Sequence, residues 1–329
     1  MSSYLVTGGC GFIGSHLADA LIADGHSVRI LDDMSTGRIE NKPAAAELIE
    51  GDVADPVMVA NAMRGVDGCF HLAAVASVVR SNVDWYATHR TNLTGSINVF
   101  NAARNANPNG PIPVVYASSA AVYGQCLDVP LGENSATHPL SAYGADKLGS
   151  ELHGAVAWNV HGVPTAGLRF FNVYGPRQDP SSAYSGVISI FCDRLAAGRP
   201  ITLFGDGGQS RDFVFVADVV RGLIAAMRRT TSGAHVYNLC TGRSTTILEL
   251  VATIADTLGV SPDISFAPGR QGDIRVSCGD PSRAGAELGF VPETHLAQGL
   301  KKTLSESTPA SSIAGQLLSG VQGIELRHG

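Results

Sequence analysis

Three glycines at every third position, Gly8, Gly11 and Gly14, sit in the turn Thr7-Gly8-Gly9-Cys10-Gly11-Phe12-Ile13-Gly14. The turn follows the short apolar run of residues 3–7 and opens an apolar-periodic stretch from Phe12 to Ala23 that stops at Gly25, the order strand, glycine turn, helix. A dinucleotide accounts for each glycine. Gly8 permits the tight turn, Gly11 lets backbone N–H groups approach a pyrophosphate, and Gly14 lets helix and strand pack closely. The helix then faces the anion with its unpaired N–H groups and the positive end of its dipole. Asp32 ends the second strand roughly 20 residues on, where a carboxylate accepts from ribose hydroxyls. That charge repels a 2′-phosphate, so NAD is expected over NADP, although Arg38 in the next loop is a cation of the opposite tendency.

The alternation continues. Strands are predicted at 27–31, 47–50, 68–72, 114–118 and 164–170, with helices at 55–64, 84–106 and 141–161 between them. This predicts an α/β fold with a doubly wound parallel sheet of Rossmann type. After Arg169 the pattern loosens: 172–211 is rich in glycine, proline and serine, followed by a strand at 213–216, a helix at 217–228 and a strand at 235–239. The expected division is a cofactor domain of 1–172 and 213–242, a smaller mixed α/β substrate domain of 173–212 and 243–305, and a tail of 306–329.

Composition narrows the partners. The 329 residues carry a net charge of −6 without a long basic run, so the positive footprint of a nucleic-acid binder is missing and any anionic ligand must be met by local groups. The six cysteines have no C-x-x-C pairing, which argues against a metal or redox pair and for buried free thiols. No apolar run of membrane-spanning length and no basic-plus-apolar leader is seen. A cytoplasmic protein with no metal and no membrane partner is expected.

The fifth strand runs into Ser118-Ser119-Ala120-Ala121-Val122-Tyr123-Gly124, at the carboxyl edge where open α/β sheets bind ligands. Tyr143 and Lys147, four apart on a predicted helix, share one face. Oxidising an alcohol requires a base for the hydroxyl proton, and a tyrosine with an ordinary pKa near 10 needs help at neutral pH. Lys147 and an oxidised nicotinamide supply positive charge that lowers it, and Ser119 can hold the substrate hydroxyl. Alone, Tyr-x-x-x-Lys is an ordinary helix face; its place after the glycine turn and the Ser-Ser strand end gives it meaning.

With these motifs the chain resembles the extended short-chain dehydrogenase/reductases of the UDP-sugar 4-epimerase family. The resemblance spans nearly all of 1–305. It is carried further by Leu-Asp-Asp-Met-Ser-Thr-Gly, Gly-Asp-Val, His-Leu-Ala-Ala, Tyr-Gly-Ala-Asp-Lys, Arg-Phe-Phe-Asn-Val-Tyr-Gly-Pro-Arg-Gln, Arg-Asp-Phe-Val-Phe-Val-Ala-Asp-Val and Gly-Arg-Gln-Gly-Asp-Ile-Arg. It implies catalysis by Ser119, Tyr143 and Lys147. It implies NAD contacts from Gly8, Gly11, Phe12, Ile13, Gly14, Asp32, Asp33, Ser35, Thr36, Gly37, Asp52, Val53, Leu72, Ala73, Ala74, Ala76, Asn92 and Ser118 as well as from Tyr143 and Lys147. The UDP-sugar is implied at Ser77, Ser119, Tyr143, Phe171, Asn172, Val187 and Ser277, with Arg211 and Arg270 on the diphosphate, Thr202, Leu203 and Phe204 bordering the uracil and Asp273 on a ribose. Bidentate guanidinium forks suit a diphosphate held by a net-negative protein.

Two departures bear on the reaction. Related 4,6-dehydratases carry an Asp-Glu pair after the strand-five Ser/Thr, and related decarboxylases a glutamate, where this chain has Ala120-Ala121. Epimerisation at C4 through a transient 4-keto sugar is the reaction left, on UDP-glucose and UDP-galactose or their N-acetylated forms, for which Ser277 leaves room. A UDP-glucuronate 4-epimerase, with Arg80, Ser77 or Arg177 near the carboxylate, is the alternative; a non-catalytic NAD-binding regulator is the alternative of another class. A homodimer through helices 84–106 and 141–161 is implied by the resemblance.

Overall fold

The structure, a computed structural model, describes residues 1–125, 128–179, 186–269 and 274–307. Its strands are β1 (Ser3–Thr7), β2 (Ser27–Asp32), β3 (Glu47–Glu50), β4 (Gly68–His71), β5 (Val114–Ser119), β6 (Thr165–Phe170), β7 (Asn172–Tyr174), β8 (Ile201–Phe204), β9 (Ser210–Arg211), β10 (Phe213–Phe215), β11 (Ala234–Leu239), β12 (Thr245–Thr246), β13 (Ile264–Ala267) and β14 (Val276–Ser277). Its helices are α1 (Phe12–Ala23), α2 (Pro56–Met63), α3 (Val78–Val83), α4 (Trp85–His89), α5 (Gly95–Ala103), α6 (Ala142–His161), α7 (Val187–Ala196), α8 (Val216–Arg229), α9 (Ile247–Leu258), α10 (Ser282–Leu288) and α11 (Leu296–Ser307).

Seven parallel strands form the main sheet in the order β11-β6-β5-β4-β1-β2-β3. The chain leaves β1 toward β2 on one side and returns to β4 on the other, so a crevice opens beyond the carboxyl ends of β1 and β4, the switch point at which such sheets bind ligands. Successive side chains alternate faces. Val6, Ile30, Phe70, Val115 and Leu168 join Leu17 of α1 and Leu223 of α8 in one core, while Leu5, Leu31, Cys69, Val114 and Tyr116 join Val99 and Phe100 of α5 in the other. A third core brings Tyr174, Phe213 and Phe215 together with Ile188 and Phe191 of α7, Leu250 and Ile254 of α9, and Leu300 of α11.

The helices begin where the sequence supplies caps. The Asp55 carboxylate accepts from Val57 and Met58 N–H ahead of Pro56, Ser141 caps α6 through Gly144 N–H, and Thr246 and Glu249 close a reciprocal capping box on α9. Two elements differ from the sequence expectation. The predicted helix of 84–106 is α4, a π-helical turn at Arg90–Thr94 and α5, and it is preceded by the separate short α3, because Ser77 and Asp84 each cap a new start. The strand at 213–216 pairs in parallel with β7 in a separate two-stranded ribbon, outside the main sheet. The segment around α10 also places Ala284, Leu288 and Phe290 in the core beneath the main sheet. Cys10, Cys69, Cys192, Cys240 and Cys278 are buried free thiols; Cys126 lies outside the described residues.

Candidate active site

A cavity of about 590 Å³ runs from the glycine turn along the ends of β1, β2, β4 and β5 to Asn172, within the size range of small-molecule sites. Its outer end is shaped by absent side chains. A Cβ on Gly14 would stand 2.1 Å from the Gly8 carbonyl oxygen, and one on Gly8, whose φ is +69°, would stand 2.8 Å from Ala73 N. Only glycine lets α1 start against the turn and the turn against the loop after β4. Gly11 is the N-cap of α1 and offers no side chain to the first-turn N–H groups, which leaves them for an anion. Asp32, 6% exposed, accepts from Cys10 N–H at 2.9 Å and Met34 N–H at 3.0 Å; a carboxylate has capacity beyond these two. Burial raises its pKa, and those two N–H groups oppose the rise. These features fit NAD.

Inside, α6 presses onto β5 through its glycines. A Cβ at Gly144 would lie 2.7 Å from the Ala121 carbonyl oxygen, and one at Gly154 2.8 Å from the Tyr116 hydroxyl. That approach brings Tyr143 beside Ser119. The Ser119 hydroxyl accepts from Ala121 N–H at 3.1 Å, and Ser119 and Tyr143 line the same stretch of the cavity. Lys147 is 4% exposed; its Nζ donates to the Ala117 carbonyl at 2.8 Å and lies 5.8 Å from the Tyr143 ring centre. Burial pushes the Lys147 amine down to about 8, opposed by the Asp146 carboxylate. The Tyr143 phenol moves the other way from the expectation: burial raises it, and the opposing influence is the Ser119 hydroxyl, not Lys147. The protein groups alone therefore do not make a phenolate.

Beneath the cavity lies a hydroxyl–imidazole chain. Thr7 Oγ1 accepts from Leu72 and Ala73 N–H, both at 3.2 Å, so its proton points to His71 Nδ1 at 2.8 Å. His71 Nε2 then donates to Ser96 Oγ at 3.1 Å, and Ser96 donates to the Asn92 carbonyl at 2.5 Å. Burial and Lys147 push His71 down to about 3, so it stays neutral. A second buried network fixes the segment after β5: Arg169 grips Glu151 at 2.7 and 2.9 Å and donates to Tyr123 Oη at 2.9 Å.

Most of the NAD residues implied by the resemblance line the cavity, from Gly8, Gly11, Phe12, Ile13 and Gly14 through Asp32, Asp33, Ser35, Thr36, Gly37, Asp52 and Val53 to Leu72, Ala73, Ala74, Ala76, Tyr143 and Lys147. Asn92 and Ser118 do not. The Asn92 amide is used on both backbone groups of Val75, and the Ser118 hydroxyl donates to Glu151. Of the substrate residues, Ser119, Tyr143, Phe171 and Asn172 line the cavity, whereas Ser77, Val187, Thr202, Leu203, Phe204, Arg211 and Ser277 lie outside it. Ser77 is the cap of α3. Leu203 is 1% exposed, packed into the third core, so its side chain cannot border a base. Arg211 Nη1 is anchored on the Ser210 and Ile274 carbonyls at 2.9 and 2.7 Å. Arg270 and Asp273 lie outside the described residues. The wall also includes Asn41, Arg90, Gln178 and Asp179, which the sequence reading passed over. Gln178 stands in a quoted motif, but no spacing marks Asp179.

The fold and the cavity define a nucleotide-dependent α/β enzyme of doubly wound type. The chain belongs to the NAD dependent epimerase/dehydratase family, whose model matches residues 4–240. It is similar to the UDP-glucose 4-epimerase of Mycolicibacterium smegmatis, 39% identical over 307 residues that cover 91% of this chain and 96% of that one. Among solved structures it is similar to the UDP-glucose 4-epimerase of Thermotoga maritima with UDP-glucose, with TM-score 0.88, 34% identity and coverage of 96% and 99%. It is also similar to the UDP-N-acetylglucosamine 4-epimerase of Methanobrevibacter ruminantium in complex with UDP-N-acetylmuramic acid, with TM-score 0.87, 35% identity and coverage of 93% and 97%.

Proposed function

We propose that the protein is an NAD-dependent UDP-hexose 4-epimerase that interconverts UDP-glucose and UDP-galactose. The reading rests on one observation above all, the convergence of Ser119, Tyr143 and Lys147 on the wall of a cavity whose outer end carries the glycine turn and Asp32. Family membership and the named relatives support it. In this reading Gly8, Gly11 and Gly14 receive the cofactor pyrophosphate and Asp32 the adenosine ribose. Tyr143 takes the C4 hydroxyl proton while Ser119 holds that hydroxyl. When bound, NAD supplies reversible hydride acceptance at C4, and its positive charge lowers the phenol that burial alone raises. Lys147 holds its proton next to the tyrosine and shapes the field around it. Asn172 and Arg211 hold the UDP moiety while the 4-keto sugar turns its other face, and Tyr143 returns the proton.

Ala120 and Ala121 form the turn after Ser119 and provide no acid to expel water, which favours epimerisation over elimination. We assign the working form as a homodimer. Val83, Trp85 and Tyr86, with Leu152, Val156 and Val160 of α6, are apolar and from 48% to 85% exposed, a face that a second copy would cover. We place it in the cytoplasm, where the buried thiols stay reduced; no helix among the described residues is long and apolar enough to cross a membrane. The test is incubation of purified protein with UDP-glucose, UDP-N-acetylglucosamine and UDP-glucuronate separately, without added reductant, with products resolved by NMR. A C4-inverted product from UDP-glucose is expected. Conversion of only one of the other two reassigns the sugar, and conversion of none, with NAD bound, overturns the reading.

A further inference from the structure

Asp32 and Arg38 give opposite signals about the cofactor, and the structure contains a group that settles between them. The loop after β2 runs against the Asp32 carboxylate, since a Cβ on Gly37 would lie 2.7 Å from Asp32 Oδ1. Arg38 N–H donates to the Cys10 carbonyl at 3.0 Å, which ties this residue to the glycine turn. Arg38 therefore flanks the carboxylate assigned to the ribose, and both line the same cavity. A guanidinium in such a place is the fork that accommodates a 2′-phosphate. Here the Arg38 guanidinium is hydrogen-bonded to the carboxylate of Asp179, 141 residues further along the chain. Asp179 belongs to the segment after β7 and also lines the cavity.

The other charges nearby have their own engagements. Asp33 Oδ1 accepts from Ser35 N–H and Oγ, and Arg177 pairs with Asp19 at 2.8 Å. The Arg38 and Asp179 side chains are 56% and 28% exposed, and a pair so exposed adds little to stability. Its consequence is for recognition. We infer that Asp179 is a specificity-determining residue: by engaging Arg38 it leaves Asp32 to face the ribose without a competing phosphate fork, so the pocket rejects the 2′-phosphate of NADP. The inference rests on reading the cavity as the NAD site.

The test is displacement of radiolabelled NAD from the full chain by unlabelled NAD and by NADP, in the wild type, Asp179→Asn, Asp179→Ser and the double variant Asp179→Asn with Arg38→Met. Freeing the arginine should raise NADP affinity relative to NAD about three- to fivefold in both single variants, the upper end of the scale of one partly exposed ion pair. NAD affinity itself should stay within about twofold, which also shows that the pocket is intact. The double variant should return the ratio to the wild-type value. A ratio unchanged in both single variants overturns the inference, as does a gain that survives the loss of Arg38, since the gain would then come from removing the Asp179 charge alone. A wild type that fails to retain labelled NAD contradicts the cofactor-site reading instead, so the two failures are distinguishable.

Discussion

Lys147 keeps an ammonium at 4% exposure with its Nζ on one carbonyl. Its burial is a cost that function explains and stability does not. With the folded pKa lowered to about 8 and an unfolded value near 10.4, the unfolded chain binds more protons between those pH values. Stability should therefore rise with pH across that window and be penalised below it. Lys147→Met, close in volume and uncharged, should melt no lower than the wild type at pH 7 while losing most activity; a clearly lower melting temperature would contradict the burial cost. Tyr143→Phe keeps the ring and removes the proton acceptor. Its kcat should fall by roughly 10²–10⁴-fold with NAD binding retained in a fluorescence titration, and a fall confined to KM would contradict the role given to the phenol.

At the scale of elements, α6 carries the site, and its position depends on both of its ends and one buried ion pair. Ser141→Ala removes a helix cap and should cost about 1 kcal/mol in chemical denaturation. Arg169→Leu strands Glu151, 8% exposed, without its partner and should cost about 3–5 kcal/mol; a cost as small as that of the cap would mean the network is solvated. The regular elements were legible because their signals are local. The glycine turn, Asp32, the Ser-Ser strand end and the Tyr-x-x-x-Lys spacing each read from a few neighbouring residues. The π-helical turn that divides 84–106 into α4 and α5 was not legible, because apolar periodicity runs through it, and neither was the separate α3 ahead of it, although Ser77 and Asp84 are ordinary caps. The pairing of β10 with β7 was illegible for a different reason: a three-residue strand carries no register, and its partner lies some forty positions away. The same distance problem hid Asp179, whose meaning depends on a partner 141 residues earlier. Fewer of the expected substrate residues than of the expected cofactor residues line the cavity. Leu203 shows why: in the alternation of β8 it is an inward position, and a motif-based expectation does not test which face a strand residue takes.

At the scale of the whole molecule, three cores join a seven-stranded sheet to a smaller unit built around α7, α9 and the short strands, and the exposed Leu152, Val156 and Val160 lie on the side of α6 turned away from Tyr143. If that face is the dimer interface, charges placed in it should separate the subunits. Tyr86→Glu with Leu152→Glu should sediment as a monomer where the wild type sediments as a dimer, and a double variant that stays dimeric would move the interface elsewhere. The central claim is that C4 is oxidised and re-reduced within one binding event. Its most direct test is turnover of UDP-glucose carrying deuterium at C4, in ordinary water, followed by NMR of the galactose product. The account predicts that the deuterium remains on C4 of the epimer and that turnover is slowed relative to the unlabelled sugar. Loss of the label to solvent, or its accumulation in free reduced cofactor, would contradict it.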